Sequence, residues 1–97
     1  GIEVNSSNLI IKNCRFIDNL YSGINIRFDN INISNCTMAG NGDSGIFTYD
    51  ANMLNVTNCL IVNNVNSGIN MVFNSPKLFK IVNCTISANK IGASIYN

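Results

Sequence analysis

The chain reads as an all-β protein, a parallel β-solenoid of about four coils of 22–25 residues with three strands per coil. Three observations predict this fold: cysteines recur at a near-constant interval, the same residue types recur around each of them, and apolar and polar residues alternate within each interval. Cys14, Cys36, Cys59 and Cys84 are separated by 22, 23 and 25 residues. Each follows an asparagine (Asn13, Asn35, Asn58, Asn83), and a β-branched residue precedes that asparagine by two places (Ile11, Ile33, Val56, Ile81). Five residues after each cysteine comes a further asparagine: Asn19, Asn41, Asn64 and Asn89. Ser-Gly-Ile then follows at 22–24, 44–46 and 67–69, while the fourth copy is one residue shorter and keeps only Gly92.

Taken in order, one coil holds apolar residues at Leu9 and Ile11, at Cys14 and Phe16, and at Ile24 and Ile26. A period of two means strand, which places short strands near 8–12, 14–17 and 23–28 with turns rich in Asn, Ser, Gly and Asp between them. A unit with one apolar face cannot bury that face alone. Stacking coils about 4.8 Å apart removes the difficulty, because each strand pairs in parallel with its equivalents above and below. The inward columns are then Leu9, Ile31, Leu54 and Phe79; Ile11, Ile33, Val56 and Ile81; the four cysteines; Phe16, Met38, Ile61 and Ile86; and, on the third strand, Ile24, Ile46, Ile69 and Ala93 beside Ile26, Thr48, Met71 and Ile95. The recurring Asn19, Asn41, Asn64 and Asn89 are expected to form a ladder of side-chain amides, each satisfying the next.

Composition narrows the chemistry. The net charge is +1, with 6 basic and 5 acidic residues, so no nucleic acid is expected to be held by bulk charge. His is absent, which excludes imidazole acid–base chemistry and Ser-His-Asp triads within these residues. No apolar run approaches the ~20 residues of a membrane-spanning helix, so no membrane span is expected. The 20 asparagines and 15 isoleucines among 97 residues fit a stack of turns and inward columns.

The pattern Ile-x-Asn-Cys-x-Phe/Met/Ile-x-x-Asn followed by Ser-Gly-Ile resembles the right-handed parallel β-helix repeat of the pectin-lyase-like superfamily, and it extends over essentially all of residues 1–97. The resemblance implies a right-handed β-helix from an extracellular, cell-surface or periplasmic protein. It leaves function open, because that superfamily includes polysaccharide lyases and hydrolases, tailspikes, adhesins and noncatalytic solenoids.

Neither enzymatic pattern of those relatives is matched. The acids Glu3, Asp18, Asp29, Asp43 and Asp50 fall at different phases of the repeat, and only Asp29 and Asp50 come near to forming a pair. Two carboxylates are too few for a calcium cage, and cysteines without a C-x-x-C pair form a column rather than a tetrahedron, so no catalytic, metal or cofactor site is assigned. The thiols are expected to be free, buried fillers. The outward side of the third strand carries the candidate carbohydrate contacts: Phe47, Tyr49 and Tyr96 to stack on sugar rings, with Arg27, Asn25 and Asn70 to bond hydroxyls. Together with Val72, those aromatics are expected to make an exposed apolar stripe.

Residues 1–97 are read as one β-helix segment of a longer solenoid or assembly, its partners being adjacent coils or identical subunits at open ends, with polysaccharide as a candidate ligand. The function expected is a noncatalytic scaffold. The alternatives are a segment of a polysaccharide lyase or glycoside hydrolase with its catalytic residues elsewhere, and a self-assembling filament subunit.

Overall fold

A computed structural model describes residues 1–5, 8–72 and 78–96. Its strands are β1 (Ile2–Asn5), β2 (Leu9–Lys12), β3 (Arg15–Ile17), β4 (Ile24–Ser34), β5 (Thr37–Ala39), β6 (Ile46–Thr57), β7 (Leu60–Val62), β8 (Ser67–Val72), β9 (Leu78–Val82), β10 (Thr85–Ser87) and β11 (Ile91–Tyr96). They form two parallel sheets. One runs β1-β4-β6-β8-β11, with β2 also on β4 and β9 also on β6; the other runs β10-β7-β5-β3. Strands that neighbour in a sheet belong to successive coils, so the chain winds as a solenoid.

Register places like on like. Ile2, Ile24, Ile46, Ile69 and Ala93 pair in turn, as do Leu9, Ile31, Leu54 and Phe79. Phe16, Met38, Ile61 and Ile86 form the column on the second sheet. Ile24, Ile31, Met38, Ile46, Leu54, Ile61 and Ile69 are wholly inaccessible to solvent. In the last coil the same columns end in exposed Phe79 and Ala93.

In β4 and β6 the third strand does not end in a turn: it runs on into the first strand of the next coil, giving single strands of 11 and 12 residues. The bend is marked by a register shift: Asp29 pairs with Ala51 and Asn30 with Met53, leaving β6 one residue longer there, while Asp50 takes a left-handed φ of 57°. That extra residue is why the cysteine interval grows from 22 to 23. Tyr49 pairs with Val72 and Met53 with Leu78, so the further growth to 25 falls at the same corner, between 72 and 78.

The other corners are left-handed as well. The asparagine before each cysteine has positive φ, 59° at Asn13, 53° at Asn35, 52° at Asn58 and 53° at Asn83. So has the residue four places after each cysteine, Asp18 at 54°, Gly40 at 66°, Asn63 at 56° and Ala88 at 55°. Asparagine, aspartate and glycine tolerate this region and other residues resist it, which explains seven of these eight choices.

The asparagine ladder is present and closed. Asn64 Oδ1 accepts from Asn41 N at 3.1 Å and from Asn41 Nδ2 at 2.8 Å, and Asn64 Nδ2 donates to Met38 O at 3.2 Å and to Asn89 Oδ1 at 3.0 Å. Asn41 repeats the arrangement: its Oδ1 accepts from Asn19 N and Nδ2, and its own amide reaches Phe16 O. Every donor and acceptor of a buried carboxamide is thereby used. The Ser-Gly-Ile glycine makes room for it. A Cβ on Gly45 would lie 3.0 Å from Asn64 Nδ2 and 2.8 Å from Gly68 O.

All four cysteines are free. Their Sγ atoms donate to the carbonyl two residues earlier, at 3.2 Å for Cys14, Cys36 and Cys59 and 3.3 Å for Cys84. Cys36 and Cys59 are buried and Cys84 half-buried, as fillers should be, but Cys14, in the first coil, is exposed and has a stacked neighbour only in the second coil.

Candidate functional site

The outer side of β4, β6, β8 and β11 carries two rows of side chains that cross the strands. One row is Asn25, Phe47, Asn70 and Ser94; the other is Arg27, Tyr49, Val72 and Tyr96. Alternation along each strand turns Ile24 and Ile26 inward and leaves Asn25 and Arg27 outward, and parallel pairing about 4.8 Å apart aligns their equivalents. The fold thus gathers the backbone positions of all six candidate residues on one face. The side chain of Tyr96 lies outside the described residues.

The face is less open than an exposed apolar stripe. Phe47, Tyr49 and Val72 are each half-buried, since every ring or methyl group is flanked by the coils on either side. Exposed Arg27 narrows it further: its Cζ stands 5.2 Å from the centroid of the Tyr49 ring, a cation–π contact over the aromatic face. Asn70 is half-buried with an enclosed Oδ1 that has no hydrogen-bond partner. Aromatic carbon, amides and a cation therefore share a surface two rows deep across β4, β6 and β8.

More exposed apolar residues lie elsewhere, among them Leu20 (79%), Tyr21 (75%) and Val65 (67%) on the turn between the second and third strands. Leu20, Gly42 and Val65 are aligned there by Gly42 N–H donating to Asn19 O at 2.8 Å and Val65 N–H to Asn41 O at 3.0 Å. Sequence reading gave this edge no role, because without a strand period nothing in the residues says which way a turn side chain faces.

Of the two acids nearest to a pair, Asp29 stands in register with Ala51 and not with Asp50, and its side chain lies outside the described residues. Among the described residues no three Cys, Asp or Glu side chains gather where they could hold a metal ion.

A family model described as a right-handed β-helix region matches residues 1–97. The chain belongs to the right-handed β-helix family. Coil winding, in-register columns and the polar ladder of this right-handed β-helix fit the pectin-lyase-like superfamily as well. No curated protein and no solved structure matches the chain.

Proposed function

We propose that this right-handed β-helix is a noncatalytic scaffold of a cell-surface, secreted or periplasmic protein, and that the outer face of β4, β6, β8 and β11 contacts carbohydrate. The observation that carries the reading is the side-by-side placement of Asn25, Phe47 and Asn70 in one row with Arg27 and Tyr49 in the next. Aromatic faces suit the C–H side of a pyranose ring, while amides and a guanidinium suit its hydroxyls. The noncatalytic half is supported by the absence of His from the sequence and by the scatter of the five acids over different phases of the repeat.

Wild-type protein and a Phe47→Ala/Tyr49→Ala double variant, compared on a glycan array and then by calorimetry, test the reading. Binding that the double variant loses, with an unchanged unfolding transition, upholds it. A wild-type chain silent toward every glycan removes it, and release of fragments from a pectin-like polymer overturns the noncatalytic assignment.

A second reading concerns partners. Parallel sheets leave edge strands with unpaired backbone groups, here on β1, β2 and β3 at one end and β9, β10 and β11 at the other. We infer that further coils, or identical subunits building a filament, pair with these edges. Sedimentation velocity distinguishes the two, since a monomer at all concentrations removes self-assembly.

A further inference from the structure

We propose that Asn41 is a conformationally guarded deamidation site, protected while the coils are stacked and converted irreversibly whenever they open. Asn41-Gly42 is the one Asn-Gly step in the chain. Glycine offers no side chain to shield its amide nitrogen, so this dipeptide is intrinsically the most prone to cyclise. Hydroxide removes the Gly42 N–H proton, and the nitrogen attacks Asn41 Cγ. The N–Cγ bond forms, Cγ–Nδ2 breaks, and ammonia departs. Water then opens the resulting succinimide to aspartate or isoaspartate.

The fold imposes both partners of this reaction. Asparagine is required at 41 by the ladder, where it is wholly buried. Glycine is required at 42 because a Cβ there would lie 1.9 Å from Leu20 O. The same contacts hold nucleophile and electrophile apart. Gly42 N–H donates to Asn19 O at 2.8 Å, which withholds the proton that must leave. Asn41 Nδ2 is held by Phe16 O at 3.0 Å and Asn64 Oδ1 at 2.8 Å, and Asn41 Oδ1 by Asn19 N at 3.1 Å and Nδ2 at 2.9 Å. The carboxamide cannot swing toward Gly42 without breaking these four bonds.

Conversion is also one-way for the fold. A carboxylate at 41 has no N–H, so its oxygen would face two acceptors, Phe16 O and Asn64 Oδ1, in a site without water access. An isoaspartate adds a backbone carbon and breaks the register of the coil. The chain thereby records the time its second coil has spent open.

The test follows deamidation at Asn41 by peptide mass spectrometry in full-length chain incubated at mildly alkaline pH, folded in buffer or unfolded in urea. Conversion slower by at least about tenfold in the folded chain is expected, since only the open fraction reacts. Equal rates overturn the guard. After removal of urea, the deamidated molecules are expected to stay out of the folded fraction, and their recovery alongside unmodified chain overturns the trap. An Asn41→Asp variant provides the second readout: it should unfold at lower urea than wild type at neutral pH and recover part of the loss in acid, where the protonated carboxyl regains a donor. A transition equal to wild type at both pH values overturns the trap.

Discussion

Ala88 stands in its coil where Asn63 stands in the coil before, and both hold a left-handed backbone, with φ of 55° and 56°. Asparagine adopts this region at little cost, whereas the alanine Cβ crowds the following carbonyl. Replacing Ala88 by glycine relieves that strain and gives back part of the gain as unfolded-chain entropy, for a net stabilisation of about 0.5–1 kcal/mol. The urea midpoint of Ala88→Gly should rise with unchanged slope, and Asn63→Ala should lower it by a similar amount.

The ladder should be far more sensitive than the surface amides. Asn64→Ala leaves Asn41 N and Nδ2 without their acceptor and Met38 O without its donor, all in a buried setting. A loss on the order of 3 kcal/mol or more is expected. Asn55 also donates to an asparagine, Asn32 Oδ1 at 2.9 Å, but on the half-buried outer side where water can substitute. Asn55→Ala should therefore cost under about 1 kcal/mol in the same urea titration.

Thr48 interrupts an apolar column between Ile26 and Met71, is wholly buried, and has an Oγ1 without a hydrogen-bond partner. Valine has nearly the same shape and no hydroxyl to desolvate. Thr48→Val is expected to stabilise the chain by about 1 kcal/mol, read as a higher melting temperature.

Burial pushes the Cys59 thiol up to about 11 from an ordinary 9.0, and pushes Cys36 upward too. Between those values the unfolded chain has lost a proton that the folded chain retains. The contribution is thus complete below pH 9.0 and is lost as pH rises toward about 11. Stability should fall across this window, with a share from Cys59 of at most about 1.4 kcal/mol per pH unit. Cys59→Ala should show a shallower decline than wild type. An alkylating reagent on the folded chain should modify exposed Cys14 first and reach Cys36 and Cys59 only upon unfolding.

Much of this was legible before any coordinates. The ladder asparagines could be named because all four copies carry the residue five places after cysteine, and a buried amide in a repeat has its own equivalents as partners. The candidate face was legible for the same reason that the core was: alternation assigns Asn25 and Arg27 to the side opposite Ile24 and Ile26. What could not be seen was how deep that face lies. The half-burial of Phe47 and the seating of Arg27 over Tyr49 depend on neighbours 22 or more residues away, whose side-chain directions no local pattern states. The second left-handed corner was hidden differently. Asp18, Gly40, Asn63 and Ala88 share a backbone angle but not a residue type, so the repeat did not announce itself.

The sequence by itself determined the number of coils, the inward columns and the ladder, because a period of two within a coil and 22–25 between coils leaves only one stacking in which like meets like. Tertiary structure alone decided the path at the corners. Whether a bend ends a strand or is absorbed within it, as in β4 and β6, depends on pairing with both neighbouring coils, and those pairs keep the backbone hydrogen-bonded through the turn without any residue signalling it in advance.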